Sequence, residues 1–96
     1  MLVLITYDVS TTTGEGRRRL SKVAKTCQDY GQRVQNSVFE CIVDAAQFRR
    51  LRFALEELID PATDSLRFYN LGDKYKSKVE HVGAKASYNM DGPLIL

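Results

Sequence analysis

The first residues of the chain, Met1-Leu2-Val3-Leu4-Ile5-Thr6-Tyr7-Asp8, read as a strand. Leu2, Leu4, Thr6 and Asp8 point to one face and Val3, Ile5, Tyr7 and Val9 to the other, because strand side chains alternate. Both faces are apolar until a carboxylate closes the run, which predicts a central strand covered on both sides. Val9-Ser10-Thr11-Thr12-Thr13-Gly14 has little to bury and forms a loop. Thr12 followed by Glu15 fits a capping box and starts a helix whose apolar stripe is Leu20, Val23, Ala24, Cys27 and Tyr30. Gly31 is its expected stop, accepting the left-handed conformation. Residues 33–43 are strand-like throughout, either as one long kinked strand or as two strands about a turn at Asn36-Ser37. Asp44 with Gln47 forms another capping box, opening a helix that buries Phe48, Leu51, Leu55, Leu58 and Ile59 and ends before Pro61. Ser65 to Leu71 is the next strand, closed by Gly72-Asp73.

This order is βαββαβ, the pattern of an α+β ferredoxin-like sandwich with two helices on one sheet face. The other face is left bare and apolar, and a two-fold homodimer across it is the simplest cover. Residues 1–96 form a single domain, with a core over about 1–72 and a C-terminal segment over about 73–96. In that segment Val79-Glu80-His81-Val82 suggests a short extra strand. Pro93-Leu94-Ile95-Leu96 ends the chain on bare hydrophobes, which should dock, on the partner subunit by preference.

Composition changes this picture little. With 44% hydrophobic and 27% charged residues the chain is an ordinary globular protein rather than a disordered one. Its apolar runs are too short to cross a membrane, and Met1 leads straight into a strand rather than into a cleavable leader, which argues for the cytoplasm. Cys27 and Cys41 have no CxxC spacing and read as small buried hydrophobes in a reducing compartment. The net charge of +2 conceals an uneven distribution. Between Gly14 and Gln35 lie Arg17, Arg18, Arg19, Lys22, Lys25 and Arg33, against Glu15 and Asp29.

The chemistry available is sparse. Asp8, at the end of the central strand, is the candidate for a hard divalent cation, which takes oxygen ligands and keeps several waters. One carboxylate is a poor site, whereas two brought together across a dimer axis are adequate. The structural alternative is an aspartate that caps the following loop. Arg17, Arg18 and Arg19 oppose the helix dipole at the end where they sit, which suggests a use other than stability. Arginine forks pair with phosphates and hold a nucleic-acid backbone without reading its sequence. Tyr7 and Phe39 have faces on which bases stack, but their strand positions point to core or interface. His81 lacks a visible partner for general-base work, and Gly14-Glu15-Gly16 is too short for a phosphate loop.

Leu4-Ile5-Thr6-Tyr7-Asp8-Val9, Lys22-Val23-Ala24-Lys25, the run from Tyr30 to Cys41 and the ending Gly92-Pro93-Leu94-Ile95-Leu96 together resemble the second CRISPR-associated protein family. That family supplies the small partner of the spacer-acquiring integrase. The resemblance covers essentially the whole chain. It implies a ferredoxin-like homodimer whose last strand crosses to the partner's sheet, and a complex with the integrase subunit in defence against viruses and plasmids. It also implies a metal-dependent endonuclease, using Mg²⁺ or Mn²⁺, on double-stranded DNA or single-stranded RNA. The family's metal-binding aspartate falls on Asp8. Its supporting residues fall on Tyr7, on one or more of Arg17, Arg18 and Arg19, on Arg33 and on Phe39. The competing implication is a non-catalytic scaffold that bridges integrase dimers and clamps duplex DNA.

Overall fold

The structure, a computed structural model, describes residues 1–83. Strand β1 (Leu2–Asp8) is followed by helix α1 (Gly14–Gln28), strands β2 (Gly31–Gln35) and β3 (Val38–Ile42), helix α2 (Ala45–Leu58) and strand β4 (Ser65–Gly72). A single 3-10 turn at Lys76–Lys78 comes next. The sheet order is β2-β3-β1-β4 and every pairing is antiparallel. This is the expected ferredoxin-like sandwich, with β1 central and both helices on one face.

The alternation along β1 is as the sequence implies. Val3, Ile5 and Tyr7 face the helices, where they meet Val23 and Cys27 of α1, Leu51 and Leu55 of α2, and Phe39 and Cys41 of β3. Leu4 and Thr6 are only partly covered and Asp8 is exposed. Among the described residues, double coverage of β1 is therefore not achieved. Open-face residues Ile42 of β3 and Tyr69 of β4 remain 39% and 40% exposed, although Leu2, at the strand's start, is buried.

Local chemistry explains the element boundaries. In α1 the cap is Thr13, not Thr12: its Oγ1 accepts from the Gly16 amide at 3.0 Å, so the helix begins one residue later than expected. At α2 the capping box is complete, with Gln47 N–H donating to Asp44 Oδ1 at 2.7 Å and Asp44 N–H to Gln47 Oε1 at 2.9 Å. Residues 33–43 resolve into two strands about Asn36-Ser37, with a bulge between Arg33 and Gln35.

Gly31 is not the left-handed stop that the sequence suggests. It opens β2, and its φ is not positive. Glycine is needed there because a Cβ would collide with the Glu40 carbonyl and with Cys41 of the neighbouring strand. Positive φ falls instead on Gly72, at 78°, where β4 ends, and on Gly83, at 121°.

Among the described residues Val79–Val82 forms no strand, and Val82 is 93% exposed. The rest of the expected crossing segment, including the docking of Pro93–Leu96, lies outside the described residues. Among the described residues no helix is long and apolar enough to cross a membrane.

Candidate metal and nucleic-acid site

Asp8 stands at the last position of β1, opposite Ser65 across the β1–β4 ladder. Alternation places it with Leu4 and Thr6 on the uncovered face, where its side chain is exposed. Two residues later the Ser10 amide donates to the Asp64 carboxylate at 2.9 Å, so the loop leaving Asp8 is fastened on both sides. Among the described residues no three His, Cys, Asp or Glu side chains converge as a metal site. The donor set nevertheless suits a hard cation as a half-site: one exposed carboxylate on an accessible face, with room for water ligands and for a second carboxylate. Asp8 is the residue that would hold Mg²⁺ here.

Tyr7 and Phe39 are brought together, but on the opposite face from Asp8. Their rings stack with centroids 6.2 Å apart, and both side chains are buried under the helices. The Tyr7 hydroxyl donates to the Asn36 carbonyl at 3.2 Å. Burial raises its pKa, with the Arg33 charge acting the other way. The Arg33 guanidinium lies 5.3 Å from the Phe39 ring centroid, while the Arg33 residue itself is exposed on β2. Tyr7, Phe39 and Arg33 thus form one column running from core to surface. The two aromatic faces are engaged within the chain rather than presented to bases.

The arginine triplet divides. Arg17 and Arg18 are exposed in the first turns of α1, with Arg17 Nη1 donating to the Thr11 carbonyl at 3.3 Å. Arg19 turns inward and pairs with Asp64, Nε to Oδ2 at 2.8 Å and Nη2 to Oδ1 at 3.5 Å. A compact patch of three free guanidinium groups is therefore not present. Helical spacing of 100° per residue sends consecutive side chains in different directions. Arg17 and Arg18 are the two of the triplet that remain exposed.

Asp64 is a residue that inspection of the sequence missed. Among the described residues it is the one charged side chain in the buried interior. Its oxygens accept from the amides of Ser10 and Asp60, the Thr63 hydroxyl and the Arg19 guanidinium. Burial works against its charge. Arg19 first, then the Asp60 and Ser10 amides and the Thr63 hydroxyl, outweigh burial and hold the carboxyl well below the usual range. Asp60-Pro61-Ala62-Thr63-Asp64 reads from sequence as an ordinary turn, and two of the partners of Asp64, Ser10 and Arg19, lie far away along the chain.

Strand order, helices confined to one face, a lone carboxylate at the end of the central strand and arginines on the next helix define a small ferredoxin-like protein with an acid-and-arginine surface. The family model described as CRISPR associated protein Cas2 matches residues 1–79, and the chain belongs to that family. It is 63% identical over 95 residues to the CRISPR-associated endonuclease Cas2 of Halalkalibacterium halodurans, with 99% of each chain covered. The crystal structure of Streptococcus pyogenes Cas2 at pH 6.5 is similar at a TM-score of 0.75 and 57% identity, covering 86% of this chain and 100% of that one. A chain of a partial Cas6-RT-Cas1–Cas2 complex is similar at a TM-score of 0.62 and 27% identity, covering 98% and 94%.

Proposed function

We propose that this chain is a metal-dependent endonuclease of CRISPR spacer acquisition, acting in the cytoplasm as a homodimer and in complex with the integrase subunit. Its substrates are double-stranded DNA, single-stranded RNA or both. The observation that carries this reading is the exposed Asp8 carboxylate at the end of the central strand, on the sheet face that the described residues leave uncovered. Leu4, Val38, Ile42 and Tyr69 on that face give a second copy apolar surface to bury. Dimerisation there doubles the acid into a two-carboxylate site. The endonuclease name of the Halalkalibacterium halodurans relative and the Cas1–Cas2 complex that holds a similar chain support the activity and the partner.

Each part of the chain has a task in this scheme. Asp8 holds the cation with one carboxylate per subunit. Mg²⁺ or Mn²⁺ held by the Asp8 carboxylates would supply Lewis-acid polarisation of a phosphodiester oxygen and a more acidic bound water. Arg17 and Arg18, exposed on α1, contact backbone phosphates, and the exposed Arg33 on the edge strand β2 offers a further cation. Binding held by such contacts weakens steeply with salt. The β1–β4 ladder keeps Asp8 still while substrate enters.

The test is cleavage of single-stranded RNA and duplex DNA by purified protein, with and without Mg²⁺, beside Asp8→Asn. Cleavage is expected to need the metal and to disappear in Asp8→Asn, while melting and nucleic-acid binding stay near wild type. Full activity in Asp8→Asn refutes the assignment.

The similarity to a chain of a Cas1–Cas2 complex favours a second reading, a scaffold that spaces integrase dimers and clamps duplex DNA without cutting it. Spacer acquisition that persists in cells carrying Asp8→Asn selects the scaffold. Its loss selects the nuclease.

A further inference from the structure

We infer that Arg19 and Asp64 are positioning residues, a buried pair that sets where the Asp8 carboxylate stands, and that Arg19 is not a phosphate contact. The inference rests on the proposed nuclease reading and deepens it. Three segments meet at the Asp64 carboxylate. Oδ1 accepts the Ser10 amide at 2.9 Å and the Thr63 hydroxyl at 3.1 Å. Oδ2 accepts the Asp60 amide at 2.9 Å and Arg19 Nε at 2.8 Å. One carboxylate therefore joins the loop that leaves Asp8, the first half of α1 and the turn that leads into β4.

The placement relative to Asp8 is what gives this junction a role in the site. Asp8 pairs with Ser65 across the sheet, and Ser65 directly follows Asp64. On its other side Asp8 is followed by Val9, which is buried, and by Ser10, whose amide is held. Asp64 thus fixes the backbone on both strands of the ladder at the level of Asp8. The Asp64 side chain has no exposure, so its two oxygens are committed to these partners. The Arg19 side chain retains 22% exposure, and its guanidinium is turned toward the carboxylate.

Lysine cannot replace the arginine fork at such a junction, since a single ammonium does not reproduce contacts from both Nε and Nη2. A phosphate contact, by contrast, survives replacement by lysine because charge carries it. The two roles therefore separate in the variant Arg19→Lys. They separate again in the salt dependence of binding, because each phosphate contact adds about one to the slope of log affinity against log salt.

The experiment compares wild type, Arg19→Lys, Arg19→Gln, Asp64→Asn and Asp8→Asn with Mg²⁺, with rates referred to the folded fraction. It reads turnover, nucleic-acid affinity across a NaCl series, and hydrogen exchange at the Ser10 amide. Arg19→Lys and Asp64→Asn are expected to lower kcat by between about 10- and 100-fold, the effect of a displacement of about 1 Å in a reacting group. The salt slope of every Arg19 and Asp64 variant is expected to match wild type, with Ser10 exchange accelerated. Should Asp64→Asn not fold, Arg19→Lys decides alone. Wild-type turnover in folded Arg19→Lys, or a salt slope reduced by about one in Arg19→Gln, overturns the inference. A wild-type protein with no cleavage for Asp8→Asn to remove overturns the nuclease reading and the inference with it. Cleavage that depends on Asp8 but survives in both pair variants overturns the inference alone.

Discussion

Replacing Phe39 separates a core residue from a base-stacking one. Its side chain is fully buried, stacked on Tyr7 at 6.2 Å and capped by the Arg33 guanidinium at 5.3 Å. Phe39→Ala removes that ring from a close-packed site, at a cost of about 3–5 kcal/mol. At roughly 0.05–0.15 kcal/mol per residue the whole domain is worth only about 5–14 kcal/mol, so Phe39→Ala lies near the limit of folding. Phe39→Leu is the informative variant. It keeps most of the buried hydrocarbon and loses the Tyr7 stack, about 0.5–1.5 kcal/mol, and the Arg33 contact, about 0.5–1 kcal/mol. The total is about 1–2.5 kcal/mol, equivalent to a fall in Tm of about 4–20 °C for a domain of this size. Urea and thermal unfolding measure it, at one protein concentration, because dimerisation would make stability depend on concentration. Nucleic-acid affinity, measured well below the transition, should stay at the wild-type value. An unchanged unfolding midpoint together with a clear loss of affinity would refute the core assignment and return Phe39 to the binding surface.

Three further outcomes follow from the same structure. Gly31→Ala forces a Cβ against the Glu40 carbonyl and should destabilise by about 1–3 kcal/mol; an unchanged urea midpoint contradicts the close β2–β3 approach. Because the Asp64 carboxyl is held below its ordinary value, its stabilisation is complete above the unfolded aspartate pKa of about 3.9 and fades as pH falls below it. Unfolding midpoints of wild type and Asp64→Asn should accordingly converge as pH drops from about 5 toward 2, and a gap that widens on acidification contradicts the buried pair. Burial pushes both the Cys27 and Cys41 thiols up to about 12, with the Cys41 sulfur adding to the rise at Cys27 against the opposing Arg33 charge, and Glu40 adding to it at Cys41. A disulfide reagent at about pH 8 should therefore label the native protein far more slowly than the urea-unfolded chain, and equal rates contradict their burial.

What the sequence made legible follows the range of the interactions. The Asp44–Gln47 box involves residues three apart, and both of its hydrogen bonds are present. The stripes of the two helices and the alternation along β1 are short-range patterns, and they place Val23, Cys27, Leu51, Leu55, Val3 and Ile5 in one core. At Thr11-Thr12-Thr13 three equivalent hydroxyls compete for one capping position, and the Thr12–Glu15 pattern selects a residue one too early. Gly31 shows a different failure. Its position after the helix suggests a backbone cause, but the cause is a neighbouring strand that only the folded sheet supplies.

The division within Arg17-Arg18-Arg19 has the same origin. Nothing adjacent in sequence distinguishes the third arginine, because Asp64 lies 45 positions away. Composition registers three positive charges, whereas the fold uses one of them against a buried negative charge and leaves two outside. Tyr7 and Asp8 divide similarly, since consecutive strand residues face opposite sides and the aromatic cannot line the acid's surface. The site is thus smaller than its motif. In the reading proposed above it consists of one acid on an open face, arginines on the next helix and edge strand, and a frame beneath the acid that the motif does not contain. If that frame governs the acid, substitutions at Asp64 and Asp8 should interact in a double-mutant cycle on cleavage rate. Asp64→Asn would then lower turnover strongly in a protein with Asp8 and much less in one already carrying Asp8→Glu, the variant that keeps a carboxylate and with it a measurable rate. Additive losses would mean that the two aspartates act separately, and Asp64 would then be a stabilising residue without a part in the site.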